Sequence, residues 1–527
     1  MGKPDKPLWS RQQIADHILK GENLVIYRNQ LIRISPNWLE EHPGGSIAIL
    51  HFVGRDASDE IEAFHSDAAL QRLLKHSIGD IQVGEEGWDP LLPPIAAGWI
   101  RKVTPVGSKW HREAERMHSD HESHFTSTSQ VLLVKRGDLC NSADPSIADI
   151  TPPPTTLSLK AQTAHSKAYK ALHQRITDAG LYRTRYIAGY GPEIARYTSL
   201  FIIAVIAYHF RWYKTAALFH GFLWHQLVFT AHDLGHVGVT HNWAIDRILG
   251  ITIANFMGGL SISWWTKNHN THHLVTNHPT HDPDIEHLPF FANTPEFLKS
   301  IYSSYYGRTL PLDFLARAVI PFQHYLFYVI LSLARFNLYR LSYAHLMSTI
   351  ASPKKRNPFP WHWWLEVVGL CVFYYWYTAV LRGIPDWSTR IAYVLITNIV
   401  PSPLHVQLVL SHYSRSTADL GPTESFTARQ LRTTIDVVCP PSLAFLHGGL
   451  HLQVTHHLFP RLPRHNLMEA SLMVKEFAKE WDLEYAEFGF VRGNQDVRNV
   501  LRQVADQAKI VGIVAEHHVQ EAMKKST

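Results

Sequence analysis

The fold is decided by IARYTSLFIIAVIAYHFRWYKTAALFHGFLWHQLVFTA at residues 194–231, which leads directly into His-Asp-Leu-Gly-His at 232–236. This apolar stretch is interrupted by Arg-Trp-Tyr-Lys at 211–214 and divides into two segments, each close to the ~20 residues that cross a bilayer. We therefore predict a transmembrane hairpin with spans at about 194–212 and 213–231. The histidine pair that follows, at positions i and i+4, would lie on one helix face at the membrane boundary.

Two further apolar segments, 361–382 and 389–410, predict a second transmembrane hairpin. The run at 318–334 fits either a span or an interfacial helix. We predict that it is interfacial, because four spans place every histidine cluster on one side of the membrane. The basic residues at 354–356 favour the cytosol for the loop before the third span. The sequence thus predicts an all-α polytopic membrane domain whose histidine clusters form a cytosolic cap.

The composition is that of a protein with soluble and membrane parts. Charged residues make up 18% of the 527 residues, below the roughly 25% of soluble proteins. The net charge of +5 and the absence of nucleic-acid-binding motifs argue against a nucleic-acid partner. Three cysteines exclude a disulfide scaffold and thiolate iron–sulfur or zinc sites. The amino-terminal residues lack the apolar core of a signal peptide.

Three regions follow one another along the chain. Residues 8–82 alternate short apolar runs with helical stretches and predict a compact α+β domain. Residues 83–180 are rich in Pro, Ser, Thr and Asp and predict a flexible, largely extended linker. Residues 181–527 contain all the apolar segments and predict the membrane domain, which ends in cytosolic helices.

Histidine is unusually frequent, at 35 residues. The main role that we expect for so many histidines is metal ligation. Glu-His-Pro-Gly-Gly at 41–45 is followed by a second histidine in Ala-Phe-His at 63–65. The imidazoles of His42 and His65 could fill the two axial positions of one haem iron. The glycines would let the macrocycle approach the backbone. The alternative is a pair of surface histidines in a small α+β domain.

Three clusters in the membrane domain repeat one histidine pattern. They read HDLGH at 232–236, HNTHH at 269–273 and QVTHH at 453–457, the last with glutamine in the first place. Offsets of three and four residues put the side chains of each cluster on one helix face. Nitrogen ligands suit iron, zinc or copper. A haem donor in the same chain favours iron, because zinc has no use for electrons.

Cytochrome b5 is the family that residues 8–82 resemble, and the three clusters in this order resemble the membrane front-end desaturases. HDLGHVGVTHN (232–242), HDPDIEHLPFFA (281–292) and HGGLHLQVTHHLFPRLPRHN (447–466) are more specifically similar to fungal Δ8 sphingolipid desaturases. The resemblance implies haem b on His42 and His65. The two non-haem irons it implies would be held by His232, His236, His269, His272, His273, His456 and His457.

Two irons need more ligands than these seven histidines supply. Related desaturases take extra ligands near the end of the last span, where His405 and His412 share one helix face. His241 and Gln453 are further candidates. For each histidine the alternative is an interfacial residue bonded to backbone or water. His220, His225 and His324 lie within apolar runs, where we expect them to pack or form hydrogen bonds. We expect His517 and His518, near the end of the sequence, to be solvated.

By resemblance, the reaction is an O2-dependent removal of two hydrogens from a methylene pair of a lipid in the bilayer. NADH would supply the electrons through cytochrome b5 reductase and the haem. The favoured substrate is the long-chain base of ceramide at the Δ8 position. An acyl-lipid Δ6 or Δ5 desaturase, a hydroxylase on the same scaffold and a membrane-anchored electron carrier with structural metal are the alternatives. Lys524 and Lys525 resemble a dilysine signal, which predicts an endoplasmic reticulum membrane protein with cytosolic termini.

Overall fold

The structure is a computed structural model that describes residues 6–104, 107–112, 144–350 and 360–526. The basic cluster at 354–356 and the central part of the predicted linker lie outside the described residues. The chain divides into two compact units. The first comprises Met1–Ser166, Ser300–Leu310 and Asp419–Phe426; the second comprises Lys167–Lys299, Pro311–Ala418 and Thr427–Thr527.

The first unit contains a four-stranded sheet with the strand order β1-β4-β3-β2. Its strands are β1 (Leu8–Trp9), β2 (Asn23–Tyr27), β3 (Gln30–Ile34) and β4 (Ser77–Ile81). Its helices are α1 (Arg11–Leu19), α2 (Pro36–Glu41), α3 (Ser46–Leu50), α4 (Ser58–Phe64) and α5 (Asp67–Leu73). The turn between β2 and β3 has positive φ at Arg28 and Asn29, as a two-residue hairpin that follows the strand twist requires. The predicted α+β domain is therefore present.

The extended linker predicted for residues 83–180 is not confirmed. Trp88, Leu91 and Ile150 are buried in the same hydrophobic core as α1 and β2. Two strands, β5 (Trp99–Thr104) and β6 (Gly107–Arg112), form an antiparallel hairpin. The last part of the stretch is the 20-residue helix α6 (Leu159–Asp178). These isolated apolar residues attach a polar, proline-rich stretch to the core. The composition of the stretch does not reveal such single contacts. The first unit also holds the hairpin of β7 (Ile301–Ser303) and β8 (Arg308–Leu310).

The second unit is mostly helical. Its helices before the last predicted span are α7 (Gly191–His209), α8 (Tyr213–Gly235), α9 (Trp243–Ile251), α10 (Ile262–Leu274), α11 (Phe314–Val319), α12 (Gln323–Ser332), α13 (Ala334–Ile350) and α14 (Pro360–Arg382). The remaining helices are α15 (Trp387–Ile399), α16 (Pro403–Leu410), α17 (Phe426–Thr433), α18 (Ala444–His447), α19 (Gln453–Leu458), α20 (Leu467–Glu480) and α21 (Phe490–Ser526). The first residue of α17, Phe426, belongs to the first unit. Two short strands, β9 (Asp436–Val438) and β10 (Glu487–Gly489), pair in parallel.

Three helical stretches in the described part of the chain are long and apolar enough to cross a membrane. They are Phe314–Ser332, Trp361–Arg382 and Trp387–Leu410. A fourth results if Trp243–Met257 and Ile262–Leu274, which meet at an angle of 114°, form one broken span. The chain is therefore a membrane protein with about three candidate spans.

The predicted span count is not confirmed. The predicted spans 361–382 and 389–410 coincide with two of the candidates. The run at 318–334, predicted to be interfacial, falls within a third. The segments 194–212 and 213–231 form helices α7 and α8, but neither is among the candidates. Both carry many polar side chains, which lowers their overall apolarity.

Helices α7 and α8 nevertheless form the predicted hairpin. The chain reverses at Arg211, which has a φ of 62°. Ala207, Ala216 and Ala217 pack against Ile384 and Tyr393 in a buried cluster. Small side chains let α8 approach its neighbours closely, and this packing fixes the direction in which α8 presents its carboxyl-terminal histidines.

One close approach of α8 to a neighbouring segment is at Gly221. A Cβ atom placed there would lie 2.6 Å from Cβ of Val400 and 3.3 Å from the carbonyl oxygen of Thr397. Gly221→Ala is expected to push α8 away from the segment that ends α15 and to lower the free energy of unfolding by about 1–3 kcal/mol.

The measurement is thermal unfolding of the full-length protein in detergent. Gly512→Ala is the matched control, because a Cβ at Gly512 meets nothing within 4 Å. That variant should be neutral or slightly stabilising, since alanine favours the helix. Equal unfolding temperatures for the two variants would contradict the close approach at Gly221.

Candidate functional site

His42 and His65 face each other in the first unit. Their ring centroids are 5.8 Å apart. Nδ1 of His42 lies 3.2 Å from the carbonyl oxygen of Gly45, and Nδ1 of His65 lies 2.9 Å from that of Ile61. An Nδ1–H that donates to a carbonyl leaves the Nε2 lone pair as the metal-binding atom. Burial, with a contribution from His65, lowers the pKa of His42 to about 4, so its ring is neutral at neutral pH. The donor set fits the two axial positions of a haem.

The second unit gathers two groups of buried histidines. The first group is His232, His236, His269 and His456, and the second is His272, His412 and His457. Within each group, one nitrogen per side chain lies within 4.8 Å of the others. We call them the four-histidine cluster and the three-histidine cluster. The predicted ligands from all three sequence motifs thus come together.

His273 lies between the two clusters. Its ring is 4.9 Å from that of His236 and 4.7 Å from that of His456 in one cluster, and 4.0 Å from that of His457 in the other. Nε2 of His273 is 3.1 Å from Nε2 of His269. This position between the clusters is suited to a ligand of either metal ion.

The buried nitrogens make these clusters candidate metal sites. Nε2 of His232, His456 and His457 is buried and has no hydrogen-bond partner among the described residues. An unpaired buried polar atom costs about 1–3 kcal/mol, which makes such a collection unfavourable unless a ligand binds them. Seven imidazoles converging in two groups fit two transition-metal ions.

Hydrogen bonds fix the ring orientation of every histidine in the three-histidine cluster. Nδ1–H of His272 donates to both carboxylate oxygens of Asp282, at 2.9 and 3.0 Å. Nδ1–H of His412 donates to the carbonyl oxygen of Thr433 at 3.3 Å. Nδ1–H of His457 donates to Oε1 of Gln430 at 2.9 Å. All three rings therefore direct Nε2 toward the common centre, as metal-ligating histidines require.

Gln430, on α17, also joins two of the sequence motifs. Its Nε2 donates to the carbonyl oxygen of His273 at 2.7 Å, while its Oε1 accepts from His457. Oγ1 of Thr276 donates to the same Oε1 at 3.2 Å. Gln430 is fully buried. One amide thus holds the second and third histidine motifs in register.

Asp436 positions the short helix α19, which carries His456 and His457. Its Oδ1 accepts from the backbone N–H of Val454 in the first turn of that helix, at 2.8 Å, where a negative side chain stabilises the unpaired amides. The hydroxyl of Tyr485 donates to Oδ2. Burial raises the pKa of Asp436 to about 7, and the bonds from Tyr485 and Val454 limit the rise.

Arg464 connects the start of α7 to the end of α8. Its guanidinium bonds to the carboxylate of Glu193, with Nε 3.0 Å from Oε1, and lies 3.6 Å from Oδ2 of Asp233. Asp233 also accepts from the hydroxyl of Tyr190 at 2.8 Å. Burial lowers the pKa of Arg464 to about 10. Because Asp233 lies beside His232, this buried ion pair ties the first histidine motif to the segment after the third.

His241 and His405 are not in either cluster. Nε2 of His241 lies 2.7 Å from the carbonyl oxygen of Tyr182. His405 is half-buried on α16, and Gln453 is fully buried at the start of α19. Nδ1 of His220 bonds to the hydroxyl of Tyr393 at 3.1 Å, which agrees with the packing role predicted for it. His412 is the one additional candidate that joins a cluster.

Sequence reasoning missed the residues that hold the ligands in place. Asp282 carried a signal, because it lies in the HDPD segment shortly after the second motif. Gln430 and Asp436 carried none, since no spacing relates them to the histidines that they contact.

Known proteins resemble the whole chain. Residues 163–489 match the Fatty acid desaturase family, and residues 10–82 match the Cytochrome b5-like Heme/Steroid binding domain. A Delta 8-(E)-sphingolipid desaturase of Kluyveromyces lactis is 41% identical over 95% of this chain and 93% of its own length. One from Emericella nidulans is 38% identical over 97% of this chain and 98% of its own. A Delta(8)-fatty-acid desaturase of Helianthus annuus is 28% identical, over 90% and 86% respectively.

The role of Gln430 predicts the effect of its loss on metal binding. Gln430→Leu leaves Nδ1 of His457 and the carbonyl of His273 buried without these partners. Loss of such an outer partner weakens metal binding about 10–100-fold. The measurement is bound iron per chain after a graded challenge with a chelator.

Gln430→Glu keeps an acceptor for His457 and should lose less iron than the leucine variant. Gln174→Leu is the control, because that side chain is exposed and bonds only to Asp178 among the described residues. Iron retention by Gln430→Leu equal to that of the control would show that Gln430 does not position the ligands.

Proposed function

Because the chain belongs to the fatty acid desaturase family and carries an amino-terminal cytochrome b5-like domain, we propose that it desaturates the sphingoid long-chain base of ceramides at the Δ8 position. Relatives named Delta 8-(E)-sphingolipid desaturase, at 37–42% identity over most of the chain, support this substrate and an E double bond. The sequence favoured the same substrate from the residues around the histidine motifs.

One observation carries the proposal: the convergence of the four-histidine and three-histidine clusters. We assign two iron ions to them, with His232, His236, His269 and His456 around one and His272, His412 and His457 around the other. His273 completes the set from its place between the clusters. His241 and His405 are not in the assigned set.

When bound, the two irons supply the activation of O2 that removes two hydrogens from a methylene pair. The protein holds the ligands in a fixed orientation. Asp282 and Gln430 fix the tautomers of His272 and His457, and all seven cluster histidines are buried away from bulk water. Dry surroundings confine a strong oxidant to its substrate.

We assign electron delivery to the haem that His42 and His65 would hold. NADH is the source, and a cytochrome b5 reductase is the partner that reduces the haem. The backbone bonds to both Nδ1 atoms support ligation of a haem iron by both histidines, because they leave Nε2 of each ring as the atom that would bind the metal.

The candidate spans support a bilayer location with lateral access for a lipid. We place the protein in the endoplasmic reticulum membrane with both termini in the cytosol. Lys524 and Lys525 support this location as a dilysine signal.

Expression in a host that makes ceramides without Δ8 unsaturation tests the reaction. The wild-type chain should yield long-chain bases with a Δ8 double bond, identified by mass spectrometry of the released bases. His272→Ala combined with His273→Ala should abolish the product, because it removes one cluster ligand and the histidine between the clusters. His517→Ala, an exposed tail residue, is the control and should retain activity. New double bonds in fatty acyl chains alone, or hydroxylated bases, would overturn the proposal in favour of an acyl desaturase or a hydroxylase.

A second experiment tests the electron path. His42→Ala or His65→Ala should abolish NADH-driven turnover in a preparation without separate cytochrome b5, while bound non-haem iron stays unchanged. His17→Gln is the matched control, because His17 lies in the same domain and pairs with Glu22. That variant should keep its haem absorbance and its turnover. NADH-driven activity in either axial variant would exclude the proposed path.

A further inference from the structure

A second group of polar side chains lies in the second unit, separate from the metal clusters. Gln407 on α16, His447 at the end of α18 and His451 before α19 are near one another. Nδ1–H of His447 donates to Oε1 of Gln407 at 2.7 Å, and the rings of His447 and His451 are 5.7 Å apart. Gln407 falls within a candidate membrane span, where a buried polar residue is a mark of function.

The group presents hydrogen-bonding atoms that the described residues do not satisfy. Nε2 of Gln407 has no partner, and the same holds for both ring nitrogens of His451. The exposed fraction is 2% for Gln407 and 4% for His451, so both side chains are almost fully buried. Burial and the nearby His447 lower the pKa of His451 to about 4, so the ring is neutral. A neutral ring offers one donor and one acceptor, and the amide nitrogen of Gln407 offers two donors.

The local backbone holds the group in this arrangement. Gly448 and Gly449 have φ values of 55° and 80°, so the chain reverses between the two histidines. A Cβ at Gly448 would overlap the ring of Phe229. The carbonyl of His451 accepts from the backbone N–H of Val437 at 2.9 Å. The position of His451 is thus fixed by both a turn and a strand.

The group lies a short distance along the chain from two metal-cluster histidines. Gln407 precedes His412 by five residues, and His451 precedes His456 by the same number. Five residues rise about 7.5 Å in a helix and span at most about 18 Å when fully extended. Carbon 8 of a long-chain base is only a few bonds from the amide and hydroxyl groups at the head of a ceramide. A ceramide with C8 at the metal clusters would therefore place its head near such a group.

An apolar surface adjoins the group. Leu443, Phe445 and Leu446, just before His447, are exposed, and so are Phe490 and Val491 at the start of α21. The rings of His447 and Phe490 are 6.3 Å apart. An exposed apolar patch of this kind in a membrane protein is suited to contact with lipid chains.

From these contacts we infer that Gln407, His447 and His451 form a binding site for the amide and hydroxyl groups of a sphingolipid substrate. This inference rests on the proposed function. It identifies the part of the substrate whose binding sets the position of the double bond. The amide N–H of a ceramide donates to the acceptor nitrogen of His451, the carbonyl of that amide accepts from Gln407, and the neighbouring hydroxyls lie beside the group. An acyl ester or thioester has a carbonyl but no donor, so it leaves that acceptor unpaired.

The test compares ceramide with a ceramide methylated at the amide nitrogen, which cannot donate from that atom. KM, kcat, double-bond position and bound iron are measured for the full-length protein in membranes with NADH and O2. Gln407→Met and His451→Phe should each raise KM for ceramide about tenfold, the effect of one lost hydrogen bond to a buried group. For the methylated ceramide, the KM of His451→Phe should match that of the wild type. In both variants kcat for ceramide should stay within about twofold of the wild-type value, and the iron content should not change. Loss of the anchor should also spread the double bond to positions beside Δ8.

His451→Gln, which keeps a donor and an acceptor, should restore much of the affinity and the single product position. His220→Gln is the matched control: a buried histidine of α8 that bonds to Tyr393 and lies outside this group. It should leave KM and product position unchanged. Unchanged KM in Gln407→Met and His451→Phe would mean that water fills the site. Equal losses of His451→Phe on both ceramides, or no recovery in His451→Gln, would mean that the residues are structural; either outcome overturns the inference. Neither affects the proposed function, which fails only if the wild-type chain makes no Δ8 product.

Discussion

The metal centre depends on one constraint: each buried imidazole must stay neutral and present a chosen nitrogen. Burial alone favours the neutral ring but does not select the tautomer. The tautomer is selected by acceptors such as Asp282, Gln430 and the carbonyl of Thr433, which accept hydrogen bonds from the Nδ1–H groups of their histidines. The helices, turns and ion pairs of the second unit serve to bring these acceptors to the right rings. The first unit applies the same rule with backbone carbonyls at His42 and His65.

Helix periodicity explains why the histidine motifs were readable in the sequence. Spacings of three and four residues put ligands on one face, and α8 and α10 form as that spacing predicts. The grouping of ligands from several helices around two centres was not readable. His269 joins the four-histidine cluster and His272 the three-histidine cluster, although both lie on α10. Only tertiary packing decides such a division, because three residues of helix separate two side chains enough to reach different centres.

The amino-terminal α+β domain and the facing rings of His42 and His65 depended on local patterns and were accessible from the sequence. The linker and the number of spans were not. Trp88 and Leu91 are single apolar residues without periodicity, yet each enters the core of the first unit. The run at 318–334 has the composition of a span, and the choice between span and interfacial helix was made from an assumed even number of spans. Gln430 and Asp436 act over long sequence separations, for which a single sequence offers no signal.

The parallel pairing of β9 with β10 has a consequence for biosynthesis. Asp436 holds the start of α19 from β9, while Tyr485, just before β10, donates to that same carboxylate. The third histidine motif is therefore fixed only after residues beyond 485 have left the ribosome. More than 200 residues are translated between His232 and His456, which lies in the same four-histidine cluster. Assembly of both clusters is thus a late event in synthesis, because each of them includes a histidine of the third motif.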